Sequence, residues 1–409
     1  MRILLVAPQP FYQERGTPIA VRMLVEVLCG QGHAVDLLTY HEGADLDIEG
    51  LKILRTPALP GLRHVPIGIS WKKLVCDLLI SGRLVRLALS HRYDVIHAVE
   101  EAVFPAILVR STARARVVYD MDSMLGESLV SKWRLLRPAE RALRAVERAV
   151  IRRADAVFAV CRDLAEHVSV DAPDVPVFLI EDVALPSQQD CGGAEPLRAL
   201  LDIQGPLALY VGNLQRYQGI EQVVRAMAHL PKARDLTLVL IGGAENDVAR
   251  TRSLVRKLHL EERVYLLGPR PLAQLTGFLA QADILVSPRL RGSNTPMKVY
   301  SYMNSGQAIL ATRILSHTQV LDDDCALLVE SNPQALAEGL ATLAADDALR
   351  ARLGAAARRR ARERYSLDAF REKVRAAYQT LEPLGPPHGW KTPERRAERR
   401  AERRIERRV

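Results

Sequence analysis

The sequence has no closely spaced pair of cysteines: Cys29, Cys76, Cys161, Cys191 and Cys325 are five in number and widely scattered. Such spacing builds neither a zinc site nor a disulfide framework, so the thiols read as reduced and mostly buried. No apolar run reaches the roughly 18 residues of a spanning helix, and MRILLVAP enters a strand at once without a charged leader or cleavage site. The expected location is cytoplasmic, with room for peripheral attachment to the inner face of a membrane. Walker loop, nucleophile elbow and paired-carboxylate signature are missing too, which removes support for most kinase and hydrolase chemistry. No metal site and no cofactor are expected.

What remains is an ordinary globular composition. The 409 residues are 48% hydrophobic and 26% charged, too long for one α/β core and suited to two domains plus an extension. The formal charge is +9, but Lys391 to Val409 holds nine basic and four acidic residues, a surplus of five that leaves four for the rest. The body is only mildly basic, and nucleic acid is not an expected partner.

Apolar runs alternate with helical patterns. Ile3 to Val6 reads as a strand, Ala20 to Gln31 as a helix with Val21, Leu24, Val25 and Leu28 on one face, and Ala34 to Thr39 as a second strand. Further strands are predicted at Val95 to His97, Val117 to Tyr119 and Ala156 to Val160. The pattern restarts after the polar stretch Pro186 to Glu195, with strands at Leu207 to Val211, Leu236 to Ile241, Val264 to Leu267 and Ile284 to Val286. Two parallel sheets covered by helices follow, the α/β class with two Rossmann-like domains. The expected division is 1–190, 200–365, a C-terminal helix in 366–385 that can cross back to the first domain, and a basic tail 386–409. Asp368 is the expected cap of that helix. The tail repeats ERRA, ERRA, ERRI, ERRV and reads as solvated and partly helical.

Ligands bind doubly wound sheets at loops following strands, and three such loops carry the informative residues. In Glu14-Arg15-Gly16-Thr17-Pro18, Gly16 admits close backbone approach and the following helix start offers free N–H groups to an anion. An ordinary turn would look the same. In Gly212-Asn213-Leu214-Gln215-Arg216-Tyr217-Gln218-Gly219, two glycines bracket a loop able to curl around a ligand, and Arg216 can neutralise phosphate or simply face solvent. In Arg289-Leu290-Arg291-Gly292-Ser293-Asn294-Thr295-Pro296-Met297-Lys298, Ser293, Asn294 or Thr295 can cap a helix with Pro296 in its first turn and Lys298 close by. Arg270, beyond the strand Val264 to Leu267, is a further ligand-binding candidate.

At these residues the chain resembles the retaining glycosyltransferases of two-Rossmann-domain architecture, called GT-B and family 4. The resemblance runs from residue 1 to about 381. It rests on MRILLVAP with its Gly loop, QGHAVDLLT, VVYDMDS, YVGNLQRYQGIEQVV and SPRLRGSNTPMKVYSYMNSGQAILAT, followed by ALLV and PQALAEGLATLAADDALR. It implies a nucleotide-sugar donor (a UDP- or GDP-sugar), transfer with retention and no metal, and a glycan or lipid-linked acceptor. Where the family commonly carries Arg and Lys against the donor diphosphate, this chain has Asn213 and Gln218. The family's ribose-binding Glu corresponds to Ser301, the Glu eight residues earlier to Ser293, and a His near the transferred sugar to Asp122. The catalytic candidates are therefore Asp122, Arg216 and Lys298. Gly16, Thr17, Gly212, Asn213, Gln218, Gly219, Arg270, Arg291, Ser293, Asn294, Thr295 and Ser301 make up the donor-binding set.

On the acceptor side, Lys132 to Arg153 holds eight basic and two acidic residues, with Arg137, Arg141, Arg144, Arg148 and Arg152 near one face and Leu136, Leu143, Val146 and Val150 on another. Such a face suits an anionic membrane surface, and equally a solvated side of a core helix. Three rival readings stay open: a nucleotide-sugar epimerase, a non-catalytic sugar-nucleotide binding or scaffolding protein, and polyanion binding through the tail.

Overall fold

The computed structural model describes residues 1–14, 16–65, 70–124, 126, 138–184, 193–231 and 235–381. Two parallel sheets organise them. The first takes β1 (Arg2–Val6), β2 (Ala34–Thr39), β3 (Leu51–Arg55), β4 (Val95–Val99), β5 (Arg116–Met121), β6 (Ala156–Ala159) and β7 (Val177–Leu179) in the order β3-β2-β1-β4-β5-β6-β7. The second takes β8 (Leu207–Val211), β9 (Thr237–Ile241), β10 (Val264–Gly268), β11 (Ile284–Ser287), β12 (Ala308–Thr312) and β13 (Leu327–Val329) in the order β10-β9-β8-β11-β12-β13. Strand order therefore reverses between β1 and β4 and again between β8 and β11, which opens a crevice at the carboxyl end of each sheet. Both sheets are apolar on two faces, as parallel sheets covered by helices must be: β4, β9 and β12 are buried at every residue.

Helices Gly16–Gly30, Ile220–His229 and Pro333–Ala345 cover these sheets, and Asn332 caps the last through its side chain. The first helix begins four residues before the predicted start, at Gly16 itself. The final helix, Leu367–Thr380, is capped by Ser366, whose hydroxyl accepts from Ala369 N, while Asp368 pairs with Arg371. Asp368 is thus not the cap. This helix buries Phe370, Val374, Ala377 and Tyr378. It lies on the first sheet: Tyr378 Oη meets His97 Nδ1 at 2.8 Å, Arg116 donates to Thr380 O at 3.0 Å, and Lys373 pairs with Glu181 at 2.5 Å.

On the helix Glu140–Ile151 and just beyond it, Arg141, Arg148 and Arg152 of the expected basic face are exposed. Arg144 pairs with Glu140, Arg148 with Asp171, and Arg152 donates to Asp171 O. Of the apolar residues read on the other face, Val150 is buried, Leu143 half-buried and Val146 exposed. Arg15, Leu136, Arg137, Cys191 and the tail 386–409 lie outside the described residues.

Candidate functional site

The loops singled out in the sequence leave β1, β8 and β11 at the two points where strand order reverses. After β8, Gly212 and Gly219 adopt φ of 144° and 74°, a region that favours glycine. A side chain at Gly219 would collide with the Pro288 carbonyl, so this loop lies pressed against the exit of β11. Asn213 is exposed and its side chain accepts from Gln215 N at 3.3 Å, closing the turn. Arg216 is exposed in a short 3-10 turn, and Gln218 is buried.

The loop after β11 is folded around Arg289, a residue the sequence reading passed over. Its guanidinium is buried and donates to Arg291 O at 2.9 Å, Asn294 O at 2.9 Å and Asn294 Oδ1 at 3.2 Å, while lying 5.4 Å from the Tyr217 ring centre. Asn294 is therefore used inside the loop. Helix Met297–Ser305 starts from Pro296 with no side-chain cap. None of Ser293, Asn294 and Thr295 caps it, and Pro296 precedes the first turn instead of filling it. Among the described residues, Ser301 Oγ is buried without a hydrogen-bond partner, and Thr295 is buried as well. Arg291 is exposed.

Lys298, second in this helix, turns back toward the β8 loop. Its Nζ donates to Gln218 Oε1 at 3.0 Å and lies 3.9 Å from the Tyr210 ring centre. It also borders Gly212, where an added Cβ would meet Nζ at 3.3 Å. Among the described residues it forms no ion pair. Burial first, and then the Arg289 charge, push the Lys298 pKa well below its ordinary value. A cation held by a neutral amide and a ring face attracts an anion, which would restore the charged form.

Behind this wall sits a neutral histidine. Burial brings His317 down to about 4, with Lys298 and Arg289 adding repulsion. Its Nδ1 donates to Thr312 O at 2.7 Å and its Nε2 accepts from Ser287 Oγ at 2.8 Å. The Thr312 hydroxyl donates to Arg289 O at the root of the loop.

Across the crevice the first domain presents carboxyls. Asp122 receives the Thr17 hydroxyl, and burial, then Asp120, Glu100 and Asp182, raise its pKa well above the carboxylate range. Glu100, at φ 49°, is pushed up to about 8 by burial and Asp120 while accepting from Ser123, and Asp182 reaches about 7 from burial and Asp120. The structure thus brings Gly16, Thr17 and Asp122 together and adds Glu100 and Asp182. Asp182 also acts electrostatically on Tyr300 of the Lys298 helix, so the two walls are in reach of one another. Ser293 stands where they touch: its carbonyl accepts from Gln319 Nε2 at 2.6 Å, and Gln319 Oε1 accepts from Asp163 N at 2.8 Å.

Arg270 does not join either wall. Its guanidinium donates to Leu267 O at 2.5 Å and pairs with Glu195 at 3.1 Å, holding the segment that leads into the second domain.

Two facing Rossmann-like domains with a crevice at their strand ends define the GT-B class. Over 93% of this chain, the crystallised Anabaena protein HepE in complex with UDP superposes with a TM-score of 0.71 at 17% identity, and all of that chain is covered. A family profile for glycosyl transferases group 1 matches residues 198–360, and one for a glycosyl transferase 4-like domain matches residues 15–180. The chain belongs to the group 1 glycosyl transferases, family GT4.

Among curated relatives, the D-inositol 3-phosphate glycosyltransferase of Xylanimonas cellulosilytica is 29% identical over 230 residues, 52% of this chain and 54% of that protein. The first curated relatives are thus matched over about half their length. The phosphatidyl-myo-inositol mannosyltransferase of Mycolicibacterium smegmatis is 24% identical over 394 residues, 94% of this chain and 95% of its own.

Proposed function

We propose that the protein transfers a sugar from a nucleoside diphosphate sugar to a glycan or lipid-linked acceptor, with retention and without a metal. Lys298 carries the reading: its ammonium is enclosed beside a glycine turn and a helix start and, among the described residues, has no carboxylate to neutralise it. A diphosphate supplies the missing charge, and the uncapped start of Met297–Ser305 adds backbone donors and a partial positive potential. Arg216 reaches the same diphosphate from the opposite loop. Gly16, Thr17, Gly212, Asn213, Gln218, Gly219, Arg291, Ser293, Asn294 and Thr295 line the donor path.

As the anomeric carbon leaves the phosphate oxygen, negative charge grows on the diphosphate, and preorganised cations and N–H groups stabilise it most at that moment. The acceptor hydroxyl approaches on the face being vacated. Its oxygen bonds to the anomeric carbon while its proton passes to the departing phosphate oxygen. Asp122, whose carboxyl burial and then its acidic neighbours bias toward the protonated form, contacts a hydroxyl of the transferred sugar. This assignment includes the division into acceptor-side residues 1–190, donor-side residues 200–365, the returning helix 366–385 and the tail 386–409.

A second reading is a binding protein without turnover. Ser293 and Ser301 stand where the family has glutamates, and the Ser301 hydroxyl has no partner among the described residues. Melting the protein with UDP- and GDP-sugars separates the nucleotides, because a ligand bound only to the folded state raises its stability. Following sugar release or transfer then separates enzyme from binder. No shift with any nucleotide sugar would remove the donor site, and a shift without turnover would leave the binder.

A further inference from the structure

The first sheet holds a buried histidine that the proposed transfer leaves unused. His97, on β4, is fully enclosed, and both ring nitrogens are engaged: Nδ1 lies 2.8 Å from Tyr378 Oη and Nε2 lies 3.1 Å from Asp120 Oδ2. Its neighbours fix the ring. Tyr378 stacks on it, 7° from parallel with ring centres 6.1 Å apart, and Phe158 of β6 meets it edge-on at 5.1 Å. Leu5 of β1 and Val118 of β5 flank it in register. Asp120 is the charged group that the ring touches; His33 and the amino group of Met1 lie beyond Tyr378.

The protons on this line have one direction. If Nδ1 carried a proton, in a neutral or a charged ring, the Tyr378 hydroxyl would have to donate elsewhere, and among the described residues it has no other partner. A buried hydroxyl without an acceptor is costly. Burial, followed by the Asp120 charge, raises the Tyr378 pKa well above its ordinary value, so the phenol keeps its proton. Tyr378 therefore donates to Nδ1, the ring is neutral, and Nε2–H donates to Asp120. The line runs from the returning helix, through the sheet, to a carboxylate that is 20% exposed near the end of β5.

Asp120 governs the wall described above. Beyond burial, it is the first charge that biases Asp122, Glu100 and Asp182 toward their protonated forms. We propose that Tyr378 and His97 are positioning residues of the transfer site, which together hold Asp120 as the acceptor of the carboxyl wall that faces the transferred sugar. A fixed acceptor divides the roles in the wall: one carboxylate accepts, and its neighbours are left to donate. Because Tyr378 belongs to Leu367–Thr380, the wall is complete only when that helix is docked. The inference rests on the proposed transfer reaction, which gives the wall a sugar to face.

The test uses the full chain. Long-range proton–nitrogen spectra of protein labelled at histidine, with His97 assigned through His97→Leu, should show the Nε2–H tautomer and a bare Nδ1. His97→Leu should lower kcat about tenfold or more with donor KM little changed, and His97→Gln, whose amide can donate to Asp120, should recover most of the loss. Adding His97→Leu to Asp120→Ala should cost little more than Asp120→Ala alone, since one interaction cannot be lost twice. Tyr378→Phe, which removes a single oxygen, should lower kcat in the same sense and serves if His97→Leu does not fold. A protonated Nδ1, parental kcat in the folded single variants, or a full further loss in the double variant each overturns the inference, the last by showing that His97 only fills the core. A parent without nucleotide-sugar turnover would overturn the transfer reading, and this inference with it, whichever tautomer is seen.

Discussion

Lys298→Met tests the donor site through two readouts that move in opposite directions. Methionine keeps much of the stem over Tyr210 and removes the ammonium. In the free protein, Lys298 gains a hydrogen bond to Gln218 and a cation–π contact with Tyr210, about 1.5–3 and 0.5–2 kcal/mol by analogy. Against these stands the loss of hydration, several kcal/mol for an enclosed ion. The lowered pKa records the net result, since it says that the charged form is disfavoured in the fold. Because the unfolded chain then holds this proton more firmly than the native one, the charged state subtracts stability below the unfolded lysine pKa. The residue is only half-buried, so screening by the open crevice keeps the effect modest.

Lys298→Met should therefore leave the melting temperature of the free protein equal or higher, by about 2–4 °C for each kcal/mol relieved in a domain of this size. With donor present the order reverses. Losing one charge-assisted contact of about 1.5–3 kcal/mol lowers donor affinity and kcat/KM roughly ten- to a hundredfold. Differential scanning fluorimetry with and without nucleotide sugar reads both. A mutant with parental donor affinity would refute the assignment, and one that loses stability without donor would mean that Lys298 is chiefly a structural contact.

Gly219→Ala should cost at least about 2 kcal/mol in urea unfolding, because alanine at positive φ is strained and its methyl meets the Pro288 carbonyl; an unchanged midpoint would disprove the packing described. The raised carboxyls of Glu100 and Asp182 keep protons in the native state that the unfolded chain has released, so stability should fall as pH rises from about 6.5 to 8. Buried His317 opposes this only between about 4 and 6.5. Asp182→Asn should flatten the decline in melting temperature, and a steeper decline would be the wrong sign. Tyr378→Phe removes the partner of buried His97 Nδ1 and should destabilise by about 1–3 kcal/mol in chemical denaturation; no change would show that His97 finds another partner.

Strong isolated apolar runs gave the right elements. Ala34 to Thr39 and Leu207 to Val211 match β2 and β8 end to end. Strands β7 and β13 were not read as strands because three residues carry no periodicity, β3 is half-buried and alternates weakly, and β12, though buried throughout, was passed over as well. The site loops were legible from Gly and Pro placement after strands, but their internal wiring was not. Three residues were equally able to cap the helix at Met297; what decided was Arg289, which engages Asn294 and leaves Pro296 at the start. That arginine looked like any surface charge, and nothing short-range marks it for burial. Glu100 and Asp182 lie about 80 residues apart in sequence, so their common electrostatic environment depends on neighbouring strand ends that only the sheet order provides.

The returning helix ties the two halves of the chain at a second point. The polypeptide passes from β7 into the second sheet once, and between Arg364 and Leu367 it passes back. Two passages constrain relative motion more than one would, favouring rotation about the line between them over free tumbling. Tyr365 sits on the return passage and packs its ring edge-on to Tyr300, 5.1 Å away on the Lys298 helix. Any movement of that helix on taking up an anion is thus felt first at the pivot. A single proteolytic cut in the forward linker should leave two pieces that remain docked, because the second fragment still carries the helix that completes the first.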